Sequence, residues 1–396
     1  MASSPIRRLC HWGPIAVLGI IKLITWAMVH HMGMWWPPTE SRGGAVHAAV
    51  FLLFATSTMY YFLQSLLEGP GFVPLGWKPE KEEDTQCLQF CHVCEGYKAP
   101  RSHHCRQCGR CVLKLDHHCP WINCCVGHHN HPYFVKFLFV AVLGCFQASI
   151  VLSICIYHAI HRVWYIRHGT GREPMIYMTL TTLLLTLLSI GMAIGVVLAV
   201  GALLYFQIRS ILRNQTTIED WIMEKAACRH QEQGLPPFVF PYDLGKKKNF
   251  RMVFFSRQDG LRWPVREGCG EYDLTLEQIC QKQDKRLRSR VYSAVSEYSG
   301  RWVPLLSAPR AALAAPCTDE PRLPLAAGDS VRATRQRKHW LFGEKIIGSG
   351  ESRGPRGWFP RYCVVPAQLP NVASQHRNFL PTSHQNAARE TKHKPD

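Results

Sequence analysis

The chain has 396 residues, of which 47% are hydrophobic and concentrated in its first half, so the composition favours an integral membrane protein over a soluble one. The formal net charge is +18, and the excess basic residues lie mainly outside the apolar stretches. Basic residues next to membrane spans typically face anionic lipid on the cytosolic side. This placement argues against nucleic-acid binding, the other function that such a charge suggests.

Four stretches are apolar over the roughly 20 residues that a helix needs to cross a bilayer. We predict spans at residues 14–32, 45–67, 134–157 and 178–206. The stretch between the second and third spans is rich in lysine and arginine, whereas the 33–44 loop holds only Arg42. Basic residues accumulate on the cytosolic side, so we expect both termini and the stretch between these spans in the cytosol, where thiols stay reduced.

A cysteine and histidine array follows the second span. Two zinc ions with four ligands each require eight such side chains, and paired C-x2-C segments with intervening histidines supply them. Three thiolates and one imidazole close a site, which indicates two structural Zn²⁺ ions; from spacing alone, a zinc module without chemistry, such as a RING or ribbon, remains open. We expect one site from Cys91, Cys94, His104 and Cys111, and the other from Cys105, Cys108, His118 and Cys125.

This assignment leaves Cys119 over, directly after His117 and Asp116. A thiol beside an imidazole and a carboxylate is the arrangement of a cysteine nucleophile, with His117 as general base and Asp116 orienting its ring. The alternative is a further cysteine without a role, like Cys87 or Cys124.

The array resembles the DHHC protein S-acyltransferases, or palmitoyltransferases. Their pattern C-x2-C-x9-H-C-x2-C-x2-C-x4-D-H-H-C-x5-C-x4-N-x3-F fits from Cys91 through Phe134 without a gap. Residues 216–219, Thr-Thr-Ile-Glu, are similar to the family's TTxE motif, and Gly245-x3-Asn249-x4-Phe254 is similar to its C-terminal motif. The resemblance covers roughly residues 1–256 and includes the four spans.

The resemblance implies a two-step transfer. Cys119 would attack the thioester of a long-chain acyl-CoA, most often palmitoyl-CoA, become acylated itself, and pass the chain to a cysteine of a membrane-associated substrate protein. The acyl chain would lie among the four spans, and Thr216 or Thr217 would bond back toward Asp116, with Asn249 as a hydrogen-bonding support. The CoA phosphates need cations, and the candidates, each equally explained as a positive-inside charge, are Arg209, Arg213, Lys246, Lys247 and Lys248.

One position departs from the family. Asp-Pro-Gly usually follows the second span, whereas this chain has Gly69-Pro70-Gly71. The proline and glycine still provide turn chemistry, so the departure affects local loop contacts rather than the nucleophile.

The C-terminal third contains short alternating strands with glycine turns, which resemble an SH3 barrel. Trp340 and Pro360 match positions that line a proline-peptide groove, but no ALYDY-like first strand is evident and Cys363 replaces the groove's second tyrosine. Within the family, such a domain points to the endoplasmic-reticulum member that carries one. Lys392 and Lys394 fit a K-x-K-x-x retrieval signal, which agrees with that location.

We therefore predict a polytopic α-helical membrane protein with a zinc-binding cysteine-rich domain between helices 2 and 3 and a small SH3-like β-barrel. Its function would be that of a multi-pass S-palmitoyltransferase of the endoplasmic reticulum membrane. The alternatives are a catalytically silent adaptor, which recruits partners or an accessory subunit through the zinc and SH3-like domains, and a RING-like ubiquitin ligase. The predicted parts are 1–67 (spans 1 and 2), 68–133 (zinc domain), 134–208 (spans 3 and 4), 209–300 (tail with both motifs), 301–367 (SH3-like domain) and 368–396 (disordered basic tail).

Overall fold

The computed structural model describes residues 5–255, 258–301, 314–318, 320–347 and 352–367. The chain divides into two compact units, Met1–Gln281 and Lys282–Asp396. The first contains the long helices and the cysteine-rich segment, and the second contains a five-stranded sheet. The predicted retrieval signal at Lys392 and Lys394 lies outside the described residues.

Four helices of the described chain are long and apolar enough to cross a membrane, and each overlaps a predicted span. The last of them continues past the predicted end at residue 206 and reaches Arg213. At 1.5 Å per residue its 34 residues extend about 51 Å, whereas the hydrocarbon core is about 30 Å thick, so its final turns stand outside the apolar layer. The four helices are α2 (Trp12–Trp35), α3 (Arg42–Leu67), α4 (His131–Ile160) and α6 (Leu180–Arg213).

The spanning helices pack closely because small residues lie between them. Helix α4 packs most extensively, against α3 and α6, and α2 contacts all three. Ala148 and Ala193 are fully buried, and a Cβ atom at Gly144 would lie 3.2 Å from the Cβ of Phe54. The shorter helices are α1 (Pro5–Leu9), α5 (Arg162–His168), α7 (Thr217–Gln233), α8 (Lys246–Phe254) and α9 (Asp273–Leu287).

Three short antiparallel hairpins form the cysteine-rich segment. Strands of two or three residues are too short to be stable alone, so this segment depends on cross-links between its side chains. The register places His104 opposite Cys111 and His118 opposite Cys125, which are predicted ligand pairs. The hairpins are β1 (Phe90–Cys91) with β2 (Gly96–Tyr97), β3 (His103–Cys105) with β4 (Arg110–Val112), and β5 (His117–Cys119) with β6 (Cys124–Val126).

The second unit is built on an antiparallel sheet with strand order β10-β9-β8-β7-β11. Its first strand, β7, begins at Arg290, so the predicted domain start at residue 301 falls inside the unit rather than at its edge. This strand is the one that the sequence pattern did not reveal, since it lacks the expected aromatic motif. The strands are β7 (Arg290–Ala294), β8 (Ser330–Arg337), β9 (Trp340–Ile347), β10 (Ser352–Pro360) and β11 (Val364–Pro366).

Two features of this unit differ from a peptide-binding SH3 barrel. Among the described strands, the outer two, β10 and β11, are not paired with each other, so a closed barrel is not present there. Trp340 and Pro360, predicted to line a groove, are buried instead. The Arg322 guanidinium covers the Trp340 ring at 4.7 Å. Tyr298, which belongs to the same core cluster as Trp340, packs edge-on against that ring at 6.0 Å.

The Gly69 departure has a local structural explanation. Gly69 adopts a φ of +73°, which glycine tolerates better than residues with a Cβ atom. The buried Arg8 donates from Nη1 to the Leu66 carbonyl at 3.0 Å, and the same Nη1 would lie 2.7 Å from a Cβ atom at Gly69. A Cβ atom at position 69 would therefore clash with the Arg8 guanidinium of the N-terminal helix α1.

Replacing Gly69 by alanine should lower the thermal unfolding midpoint of the purified protein, since left-handed strain and the clash with Arg8 together cost about 1–3 kcal/mol. The control is Gly19→Ala in α2, where nothing lies within 4 Å of the added atom. That variant should keep or slightly raise the midpoint, because alanine favours a helix. Equal midpoints for the two variants would contradict this account.

Candidate active site and metal centres

The structure gathers the eight predicted ligands into two separate clusters, each of three cysteines and one histidine. Within each cluster the ligand atoms all lie within 4.8 Å of one another. Both sets match the sequence assignment, and both could hold a metal ion. The clusters are Cys91, Cys94, His104 and Cys111, and Cys105, Cys108, His118 and Cys125.

The donor geometry of the clusters fits zinc. Tetrahedral zinc, with bonds of about 2.3 Å to sulfur and about 2.0 Å to nitrogen, separates those two atoms by about 3.5 Å. The Nδ1 atom of His104 lies 3.4 Å from the sulfur of Cys94, and the Nδ1 atom of His118 lies 3.4 Å from that of Cys108. His118 is also 3.6 Å from Cys125. The residues present therefore match the size and chemistry of a closed structural zinc site.

Cys119 belongs to neither cluster. It ends strand β5, one residue after the ligand His118, and successive side chains of a strand point to opposite faces. Cys119 is 4% exposed and lies in an apolar cluster with Phe62, Phe134 and Leu138 of the long apolar helices. Cys124 lies in the same apolar cluster outside both metal clusters, but Cys119 is the thiol that follows Asp116 and His117 in the chain.

Asp116 is the most heavily hydrogen-bonded carboxylate near this thiol, and it is 2% exposed. Its Oδ2 atom accepts from His117 Nδ1 at 2.8 Å and from Gln207 Nε2 at 3.0 Å. Its Oδ1 atom accepts from the backbone N–H of Thr217 at 2.8 Å and from the Thr217 hydroxyl at 3.0 Å. Because the carboxylate accepts from Nδ1, the second ring nitrogen of His117 is left for the thiol side.

These contacts shift the pKa values of both side chains. Burial alone would raise the pKa of Asp116, but the hydrogen bond and charge of the His117 ring lower it well below the ordinary value. Burial alone would lower the pKa of His117, but its hydrogen bonds with Asp116 and Cys119 raise it to about 9. The pair therefore favours an ionised carboxylate beside a protonated imidazole.

Thr217 reaches Asp116 because it occupies the first turn of α7. Thr216 and Glu219 cap this helix reciprocally: the Thr216 hydroxyl accepts from the Glu219 N–H at 3.3 Å, and Glu219 accepts from the Thr216 N–H at 2.8 Å. The helix dipole also favours a carboxylate at this end. The expected bond from the TTxE-like segment to Asp116 is thus made by Thr217.

Sequence reasoning missed Gln207 and His131. Gln207 is a buried amide near the end of α6, and its Oε1 atom contacts His131 Nε2 at 2.8 Å. The sequence did contain a signal for Gln207, since a polar residue within an apolar span is by default a candidate functional residue. The pattern of hydrophobic residues alone could not show that it faces Asp116.

The structure places the five predicted CoA cations on two helices, α6 and α8. Arg209 and Arg213 are exposed at the end of α6, and their charges act on Asp220 in the first turn of α7. Residues 246–248, the three lysines, are exposed at the start of α8. Asn249 in the same helix is buried and donates to the Leu212 carbonyl at 2.9 Å, as expected for a supporting residue.

Comparisons with known proteins all point to palmitoyltransferases or protein S-acyltransferases. A family profile described as DHHC palmitoyltransferase matches residues 84–224. The chain is 45% identical over 379 residues to palmitoyltransferase ZDHHC6 of Mus musculus, covering 91% of this chain and 92% of the mouse protein. It is 42% identical over 378 residues to the Danio rerio protein of that name, with the same coverages. It is 30% identical over 272 residues to probable protein S-acyltransferase 13 of Arabidopsis thaliana, covering 63% of this chain and 82% of that one.

Metal analysis of the purified protein should find two zinc ions per chain, one for each cluster. Cys105→Ser should lower this number to one or fewer, because Cys105 is a ligand of the second cluster. Cys124→Ser is the matched control, since Cys124 is buried in the same segment outside both clusters. Equal zinc contents in the two variants would contradict the ligand assignment.

Proposed function

Since the chain belongs to the DHHC palmitoyltransferase family and is a protein S-palmitoyltransferase, we propose that it works through a thioester between the acyl chain and Cys119. One observation carries this proposal. The buried Cys119 thiol lies between the Asp116–His117 pair, which can activate it, and an apolar cluster of the membrane helices, which can receive an acyl chain.

In the first step, the Cys119 thiolate attacks the carbonyl carbon of the acyl-CoA thioester. The protonated His117 ring stabilises that thiolate before attack, and Asp116 stabilises the ring. The bond from the carbonyl carbon to the CoA sulfur then breaks, and the leaving CoA thiolate takes its proton from His117. The acyl chain is now on Cys119, and His117 is neutral.

In the second step, the acyl chain moves to the substrate protein. The neutral His117 ring accepts the proton of the substrate cysteine, whose sulfur attacks the acyl carbonyl carbon on Cys119. Cys119 leaves as a thiolate beside the protonated ring, which restores the starting state. Because one thioester replaces another at each step, the reaction needs no further energy source.

The two zinc ions have a structural role in this proposal. Four protein ligands close each site, so no position is left for a reacting oxygen or sulfur. When bound, zinc cross-links the short hairpins. His118 thereby fixes strand β5, and with it the neighbouring His117 and Cys119.

The donor would bind in two chemically different places. Burial of a palmitoyl chain among the spanning helices is favourable by about 0.8 kcal/mol for each CH2 group. The phosphates of CoA would remain at the polar boundary near Arg209, Arg213 and the lysines of α8. The resemblance supports this division, and the exposure of these cations at the ends of α6 and α8 is compatible with it.

We propose the endoplasmic reticulum membrane as the location, with the cysteine-rich segment and the parts following α6 on the cytosolic side. The distribution of basic residues supports the orientation. The resemblance to the endoplasmic-reticulum member of the family supports the location. The similarity to the ZDHHC6 proteins extends over 91% of the chain, which agrees with it.

Wild-type protein incubated with labelled palmitoyl-CoA should acquire a label that neutral hydroxylamine removes, because hydroxylamine cleaves thioesters. Cys119→Ser should acquire no such label, whereas Cys124→Ser, a buried neighbour outside the proposed chemistry, should be labelled like the wild type. An unlabelled wild type that still holds two zinc ions would instead favour the silent adaptor.

Replacing Lys246, Lys247 and Lys248 together by glutamine should raise the KM for palmitoyl-CoA several-fold and leave kcat nearly unchanged, since these cations would bind phosphate in ground and transition states alike. The effect should weaken at high ionic strength, because salt screens exposed charges. An unchanged KM at low salt would remove these lysines from the donor site.

A further inference from the structure

Three residues with left-handed backbone meet beside the proposed active site. Arg101, Lys114 and Asn214 have φ values of 65°, 43° and 49°, and they account for three of the five non-glycine residues with positive φ in the described chain. Such conformations persist where surrounding contacts determine them, and they concentrate at functional sites. The three come from different parts of the chain, so their meeting is a product of the fold.

Arg101 makes the most contacts of the three. Its Nε and Nη2 atoms donate to the two carboxylate oxygens of Glu219, both at 2.7 Å. Its Nη1 and Nη2 atoms also donate to the side chain and backbone oxygens of Asn214, at 3.1 and 2.6 Å. The guanidinium lies between the rings of Tyr242 and Trp263, at 4.6 and 4.7 Å. All three nitrogens of the planar guanidinium thus donate hydrogen bonds, to four oxygen atoms in total, and a lysine ammonium cannot reproduce this geometry.

Lys114 completes the group. Its ammonium donates to Asn214 Oδ1 at 2.8 Å and lies 5.3 Å from the Trp263 ring. Asn214 in turn donates from Nδ2 to the Tyr242 carbonyl at 2.7 Å. Burial, followed by the nearby Arg101 charge, lowers the pKa of Lys114 to about 7. The side chains of Arg101, Lys114, Asn214 and Glu219 are all at least 95% buried.

This group connects to Asp116 through the start of α7. Glu219, held by Arg101, closes the cap with Thr216 that begins the helix. The next residue, Thr217, then directs its N–H and hydroxyl to Asp116. The position of Glu219 against Arg101 therefore sets the position from which Thr217 donates to the Asp116 carboxylate.

Stability alone is a weak reason for such an arrangement. Desolvation of buried charges offsets most of their attraction, so well-packed apolar residues often stabilise a fold at least as well. What the charged group supplies is direction, since each donor of Arg101 has one acceptor position. The Asp116 carboxylate requires such directed contacts, because it must keep one orientation towards His117.

We propose that Arg101, together with Lys114 and Asn214, is a positioning residue for acyl transfer. It fixes the first turn of α7 so that Thr217 holds Asp116 in the orientation that His117 needs. This inference rests on the proposed roles of Asp116, His117 and Cys119. It adds residues other than the zinc ligands and the Asp116, His117 and Cys119 triad to those that set the rate of the chemical step.

The test measures the rate constant and the palmitoyl-CoA dependence of Cys119 acylation in the full-length purified protein. Arg101→Lys keeps the charge but loses the fork, so the maximal rate constant should fall at least tenfold, with half-saturation and zinc content unchanged. Arg229→Lys is the matched control, because Arg229 also pairs with a buried carboxylate, Glu277 at 2.8 Å, away from Asp116. It should behave like the wild type.

A second comparison separates positioning from general destabilisation. In an Asp116→Asn background, Arg101→Lys should cause no further loss, since the group that it positions has already been altered. A tenfold loss in both backgrounds, or a wild-type rate constant for Arg101→Lys, would overturn the inference. If Arg101→Lys does not fold, Glu219→Gln decides by the same two criteria, because it alters the same link from the other side.

The wild-type reaction distinguishes the two levels of the argument. If the wild type is not acylated at Cys119, the proposed function fails, and the positioning inference fails with it. If the wild type is acylated and Arg101→Lys matches it, the positioning inference alone is wrong.

Discussion

The Asp116 carboxylate is the constraint on which the site depends. It accepts four hydrogen bonds from three separate parts of the chain: His117 beside it, Gln207 from a spanning helix, and Thr217 from the helix that follows. A buried carboxylate costs much free energy unless it is hydrogen-bonded, so these groups must assemble together. The bundle of long apolar helices, the cysteine-rich segment and helix α7 are therefore tied to one anion.

The sequence predicts the parts that follow from local pattern. Spacing predicted both ligand sets, because two four-coordinate zinc sites need eight thiols or imidazoles and the paired C-x2-C segments with their histidines supply them within a short stretch. Hydrophobic length predicted four spans, which overlap the four long apolar helices, and the adjacency of Cys119 to His117 and Asp116 predicted the centre of the proposed site. These features depend on residues that are near one another in the chain.

Long-range contacts were not predictable in the same way. Gln207 bonds to Asp116 across 91 positions and Arg101 to Glu219 across 118, and single-sequence patterns carry no information about such pairings. The prediction that Trp340 of the second unit lines a peptide groove was wrong for a related reason. Trp340 matched a groove position by its neighbours in sequence, but Arg322 and Tyr298, both distant in sequence, cover it. Packing decided the role of that side chain.

The alternation of faces along β5 limits how this segment can evolve. His118 points to a metal cluster and Cys119 points to the membrane bundle, because neighbours on a strand face opposite ways. Inserting or deleting one residue in this strand would exchange the two faces, giving the metal the thiol and the bundle the imidazole. A substitution disturbs one group, whereas a change of length disturbs both at once. The number of residues in β5 should therefore vary less among homologues than the identity of the residues between the metal ligands.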